Sequence, residues 1–333
     1  MKKLIALSLV LLLSFFAFAG GSKEASASDG GYLIGVSKLM SHAALDAVEE
    51  GMQDYLATTD LSVSYDFQNA NGDISTSATI AQLFRDENVD VAVGIATPTA
   101  QALANIFTEV PVVFAAVTDP VDAGLVPSLE GSEDTNVCGV SDLSPVESQI
   151  KLLMDVTGAK VIGNIYASGE ANGVALRNMA QEAVEKLGGT FVDAAITNSS
   201  EVMMAAQSII DRVDAIYIAT DNAVISALSA VDQVCSQAGK PLFSADPSGV
   251  AGLDCLIAWG FNYYSIGEAT GKAIESILKG TPSGTIGTVM LTDPADFELW
   301  FNLDTAEKLG IEIPQEYLDM AAVIIQNGET ITK

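Results

Sequence analysis

The run Val112-Val113-Phe114-Ala115-Ala116-Val117 is apolar on both of its alternating faces and stops at Thr118-Asp119-Pro120. A strand with two apolar faces must be covered on both, which is the condition of a parallel strand inside an α/β sheet. Proline has no N–H to give to a sheet ladder, so the strand is expected to end there. That leaves a hydroxyl and a carboxylate at its C-terminal edge. In open α/β sheets this edge is where ligands bind.

The rest of the chain is patterned to surround such strands. Tyr32–Val36 reads as a strand, followed by a helix that carries Leu45, Val48, Met52 and Tyr55 on one face. Ser41 is its expected N-cap. Leu61–Phe67 is a second strand, and a helix from about Ser75 to Asp86 leads into the strand Val89–Ile95. Thr97-Pro98-Thr99 ends that strand and opens a helix over Ala100–Phe107. Near Val137–Pro145 the alternation pauses and starts afresh. Lys160–Tyr166, Thr190–Ala195, Ala215–Ala219, Pro241–Ser244 and Leu256–Phe261 are read as strands, with one helix ending at Leu187 and another over Ser200–Asp211. A helix over Ile266–Leu278, a strand over Thr285–Leu291, a helix near Ala306 and a strand over Ala321–Ile325 complete the pattern. Strand–helix alternation of this kind requires parallel sheets with right-handed crossovers. Two such series predict two similar open sheets facing each other across a cleft. Domain boundaries of this sort are where ligands bind.

Ahead of this lies Met1–Ala19, with Lys2 and Lys3, an apolar core over Leu4–Phe16, and Ala17-Phe18-Ala19 as an A-x-A cleavage site. It reads as an export signal, too short to span comfortably as a permanent helix. Gly20 stands where a lipid-bearing cysteine would be needed, so a free periplasmic protein is expected, without a lipid anchor. Residues 20–31, rich in Ser, Ala and Gly, read as a flexible leader. The mature chain has ample length for two full cores. Its 43 acidic residues outweigh 15 basic ones, which argues against nucleic acid as a partner. The three cysteines, Cys138, Cys235 and Cys255, make no CxxC and read as small buried hydrophobes. A Cys235–Cys255 disulfide is the alternative. With one histidine, His42, and no G-x-S-x-G turn, a serine triad is poorly supported. A zinc site lacks its usual ligands. No glycine-rich fingerprint points to a nucleotide, so no cofactor is expected.

Several stretches together resemble one family. They are Ser41–Gly51, Gln68–Asp73, Ala96–Ala104 and Val113–Val126 in the first half. In the second half they are Thr220–Val224, Gly260–Tyr264, Gly267–Ile274 and Phe301–Pro314. In this order they resemble the periplasmic substrate-binding proteins of ABC transporters, type I fold, in the branch associated with tryptophan and tyrosine uptake. The resemblance implies two doubly wound, Rossmann-like α/β lobes joined by a three-crossing hinge, with crossings near 142, 262 and 286. The lobes would be 32–141 plus 263–285 and 142–262 plus 286–333. It also implies a monomeric, non-enzymatic receptor that closes on a small zwitterion, an aromatic amino acid, and docks on a membrane permease. A sensory module presenting its ligand to a chemoreceptor is the alternative, and an exported α/β enzyme a more distant one.

An amino acid carries an ammonium and a carboxylate, and neither leaves water cheaply without new partners. Asp119 and Asp221, at matching strand ends, are candidates for the ammonium; each could instead close an Asx-turn or cap a helix. Thr97, Thr99 and Ser41 stand at helix starts where hydroxyls and free N–H groups suit a carboxylate, or simply cap. Ser168, Glu170 and Asn172 form the corresponding loop of the second half. Thr118, Asn222 and Asp246 share the strand edges, while Met40 and His42 are placed to line the cleft. For Trp259, Tyr263 and Tyr264, core packing is favoured over stacking on a ligand.

Overall fold

The structure, a computed structural model, describes residues 31–333. The expected export signal and nearly all of the expected leader lie outside the described residues.

Two sheets organise the chain. The first joins β1 (Tyr32–Lys38), β2 (Val63–Asn69), β3 (Val91–Ile95), β4 (Val112–Ala115), β5 (Val137–Ser141) and a late strand, β11 (Thr288–Met290). Their spatial order is β11-β5-β4-β3-β1-β2, parallel throughout. The second sheet holds β6 (Val161–Ala167), β7 (Thr190–Ile196), β8 (Ala215–Ile218), β9 (Leu242–Ser244) and β10 (Ile257–Phe261). It continues through β12 (Phe297–Asn302), β13 (Val323–Gln326) and β14 (Glu329–Thr332), in the order β14-β13-β12-β10-β9-β8-β6-β7. Its β10–β12 and β13–β14 pairs are antiparallel.

Helices α1 (Ala43–Ala57), α2 (Ile74–Glu87) and α3 (Thr97–Ala104) connect the early strands. In the second half, α4 (Val146–Thr157), α5 (Ala171–Lys186), α6 (Val202–Ile209), α7 (Asn222–Ile225) and α8 (Leu228–Ala238) do the same. The chain then returns through α9 (Tyr263–Leu278) and α10 (Ser283–Ile286) before α11 (Leu303–Leu309) and α12 (Gln315–Met320) close the second lobe. The second sheet has a separate apolar layer on each face, one around Leu153, Leu176, Tyr217 and Phe301 and another around Ile165, Ile209, Ile216 and Val231. This is the doubly wound arrangement expected of such runs.

The chain passes between sheets three times. The first passage lies between Ser141 and Val146, and the second at Asn262, between β10 and α9. The third differs from the expected position near 286. Thr288, Val289 and Met290 pair with Gly139, Val140 and Ser141 of the first sheet, so the chain leaves that sheet only between Met290 and Phe297.

Two local expectations also shift. The ladder of β4 ends at Ala115, because Ala116 takes a left-handed φ of 52°, and not at Pro120. The third helix starts at Thr97, earlier than the expected Ala100, because the chain turns sharply at Ala96, whose φ is 83°. Pro98 then suits the first turn, where its missing N–H leaves no bond unmade. Among the described residues no helix is long and apolar enough to cross a membrane.

Candidate functional site

Both sheets turn their C-terminal strand edges toward one another, at the points where strand order reverses. Between those edges lies a small cavity of ≈ 10 Å³, about the space of one water. The first lobe contributes His42 and Leu45 from the start of α1, and Ala116 and Thr118 from the end of β4. The second lobe contributes Asn172, Thr220, Asn222, Ile225 and Asp246. Asp142 and Tyr263, from the first two passages between sheets, close the back. An adjoining interlobe space of ≈ 100 Å³ is lined by Leu39, Met40, Gly72, Ile74, Glu170 and Ala223, among others.

The cavity is rich in acceptors. Asp246 is 1% exposed; its Oδ1 accepts from the backbone N–H of Ser248 at 2.9 Å and from the Ser248 hydroxyl, while Oδ2 has no partner. Asn172 Oδ1 and Thr220 Oγ1 are likewise buried and unpartnered. Asp142 is satisfied by two hydroxyls, Thr118 Oγ1 donating at 3.2 Å and the Tyr263 hydroxyl at 3.0 Å. Burial pushes its carboxyl up to about 6, against the pull of those two donors. No lysine or arginine lines either space among the described residues.

A polar chain crosses the cleft. Glu170 accepts at Oε2 from Asn222 Nδ2, 2.6 Å away, and at Oε1 from the Ala223 N–H. Burial raises its carboxyl, with those donors opposing. With its amide nitrogen committed to Glu170, Asn222 turns Oδ1 toward His42 Nε2 at 3.4 Å. A carbonyl only accepts, so Nε2 carries the proton and Nδ1 is left as a buried lone pair without a partner.

Of the expected site residues, His42, Thr118, Asn172, Asn222 and Asp246 meet in the small cavity, and Met40 and Glu170 line the adjoining space. Others are committed locally. Asp119 Oδ1 accepts the N–H groups of Val121 and Asp122, so it closes its own turn and stays outside the cavity. Asp221 caps α7 through Val224 N and clamps Ala167 N at 2.6 Å, using both oxygens on the backbone. Burial, reinforced by Glu170, pushes it up to about 7. Thr99 Oγ1 lies 2.8 Å from the carbonyls of both Ile95 and Ala96, bracing the strained turn. Thr97 is buried with its hydroxyl unpartnered, but does not line the cavity. Ser168 donates to the Ile196 carbonyl. Ser41 accepts from Asn69 Nδ2 and is not the cap of α1, a place taken by His42.

Tyr263, buried in the core as expected, also lines the cavity; it and Asp142 complete the site because they stand in the passages between sheets and not at strand ends. Their nearness to the expected passages at 142 and 262 was the signal available. Trp259 instead lines a larger apolar groove of ≈ 740 Å³ on the second lobe, with Trp300 and Met320. None of that groove's lining residues carries a buried unpartnered polar atom, so nothing in it calls for a charged ligand. The three cysteines are buried and free, as small apolar residues, and Cys235 and Cys255 are not bridged.

A family profile described as ABC transporter substrate binding protein matches residues 33–325. The chain belongs to this family of substrate-binding proteins. The substrate-binding protein is 31% identical over 284 residues to a tyrosine-binding protein of Clostridioides difficile strain R20291, covering 84% of this chain and 81% of that one. It superposes with a TM-score of 0.83, at 32% identity, on an ABC domain from Streptococcus pneumonia in complex with L-Trp, covering 89% of this chain and all of that one. On the ligand-free, open structure of a Clostridium difficile substrate binding protein with adhesive properties, the TM-score is 0.64 at 33% identity, over 85% and 96% of the two chains. The two-lobed α/β architecture and the tryptophan/tyrosine branch expected of the sequence are therefore those of its relatives.

Proposed function

We propose that this protein is the extracytoplasmic receptor of an ABC importer, and that it closes on an aromatic amino acid held between its lobes. The observation that carries the reading is the unpartnered Asp246 Oδ2, buried in a cavity whose other free groups include Asn172 Oδ1. A buried carboxylate oxygen without a partner is costly. An ammonium supplies both the charge and up to three donors, and its head is about the size of the cavity.

Closure is supported on two counts. Ligand pockets commonly hold about 300–1,000 Å³, so a cleft with spaces of ≈ 10 and ≈ 100 Å³ must part to admit an amino acid. At nearly equal identity, the chain also superposes far better on the L-Trp complex than on the open, ligand-free relative. Sequence distance does not account for that gap, whereas a different lobe arrangement does.

Calorimetric titration with L-tryptophan, L-tyrosine and their N-acetyl derivatives tests the reading. A free amino acid should bind and its acetylated form, lacking the ammonium, should not. Equal binding of both forms would refute the ammonium site, and binding of neither would refute the ligand class.

A further inference from the structure

Two residues of opposite lobes that line the same water-sized cavity each keep a buried atom without a partner: His42, at the start of α1, its Nδ1, and Asp246, after β9, its Oδ2. The other ring nitrogen of His42 is already occupied by Asn222 Oδ1, held in place by Glu170. A second proton on the ring can therefore sit only on Nδ1, on a ring that lines the same cavity as the unpaired carboxylate. We propose that His42 is a titratable competitor for the ammonium site: protonated at Nδ1 it pairs with Asp246, and it must lose that proton before a ligand ammonium can take the carboxylate. This rests on the ammonium reading above and adds its regulation by pH.

The charged surroundings of His42 are few. Asp246 faces it from the second lobe and Asp46 from its own helix, both favouring the protonated ring; Lys38 on β1 opposes it. Burial is the largest influence and holds His42 below the usual histidine range in the closed form. Asp142 shares the cavity, with Glu170 and Asp221 behind it. The sign follows from this arrangement. In the ligand-free protein the protonated ring keeps the attraction of Asp246 across the cavity, whereas a bound ammonium takes that attraction away. The ring thus holds its proton more tightly in the free protein than in the complex. Binding then releases a proton, is strongest above the free-protein titration of His42, and weakens as pH falls through it.

His42 is the one histidine of the chain, so its imidazole resonances need no assignment. In ligand-free protein carrying no histidine tag, Asp246→Asn should lower the His42 titration midpoint by about one to three pH units, the usual effect of losing a nearby opposite charge. An unchanged midpoint overturns the proposal, whatever the protein binds. With L-tryptophan as probe, affinity should drop on the order of ten-fold between pH 7.5 and pH 5.5, the range over which an ordinary histidine titrates. In His42→Gln the ratio of affinities at the two pH values should fall to within about two-fold. A dependence that persists in His42→Gln overturns the assignment and moves it to Asp142. Failure of L-tryptophan to bind at either pH counts against the amino-acid reading, and the ligand-free arm still decides the His42–Asp246 pairing.

Discussion

Of the chain's three Asp-Pro pairs, Asp119-Pro120 and Asp246-Pro247 do different things. Asp119 is partly exposed and spends Oδ1 on two N–H groups of its own turn. Asp246 is buried and keeps one oxygen free. Asparagine can hold a turn as well as aspartate but carries no charge. Asp246→Asn should therefore lose about 2–5 kcal/mol of ligand affinity, thirty-fold or more. Asp119→Asn should change it by less than about two-fold. Calorimetry on both variants with L-tryptophan separates them, and comparable losses would reverse the assignment. That both residues sit at strand edges was legible from the apolar runs before them. Which one is buried was not, because burial is set by the opposite lobe and local sequence carries no trace of it. The same holds for Asp221, a strand-end acid whose two oxygens go to the backbone of a neighbouring strand and helix.

Among the elements, α1 and α9 are packed closer than side chains allow. A Cβ on Gly51 would lie 2.3 Å from the Tyr264 carbonyl oxygen, and one on Gly267 would lie 2.3 Å from that of Val48. The two helices therefore touch backbone to backbone, and they carry His42 and Tyr263 at their starts as one rigid piece. Gly267→Ala should cost about 1–3 kcal/mol through overpacking, lowering the melting temperature by several degrees. Gly249→Ala, where nothing lies within 4 Å, is the control and should be near neutral. Equal melting curves would mean that the helices can slide apart at little cost. Helices like these were readable from their apolar faces. The strands β5, β12 and β14 were not: β5 lies over Val137–Ser141, where the alternation in the sequence pauses, and β14 is exposed along its whole length. A signal for β14 was present nonetheless. Asn327-Gly328 follows Gln326, both with positive φ, and Gln326 pairs with Glu329, which is a two-residue hairpin turn.

At the scale of the molecule, the proposed hinge is three passages bonded to one another. The Tyr263 hydroxyl of the second passage donates to Asp142 of the first at 3.0 Å. Asn262 N donates to the Asp296 carbonyl of the third at 2.7 Å, and Asn262 Nδ2 to Glu298 Oε1 at 3.1 Å. Cross-linked in this way, the passages are suited to bend together, so the lobes should swing as two rigid bodies. A ligand can favour the closed arrangement only by its greater affinity for it. Groups from both lobes facing one cavity, Asn172 and Asp246 from the second lobe and Thr118 from the first, can supply that difference. Small-angle scattering should thus show a smaller radius of gyration with L-tryptophan bound than without it. Tyr263→Phe removes the hydroxyl that joins two passages and leaves a buried Asp142 oxygen unpaired in the closed form. In this variant the ligand-induced compaction should be reduced, with ligand dissociation faster. A scattering profile that stays the same when calorimetry shows the site filled would mean that ligands enter without lobe motion. The small closed cavity would then need another explanation, such as local rearrangement of the side chains that line it.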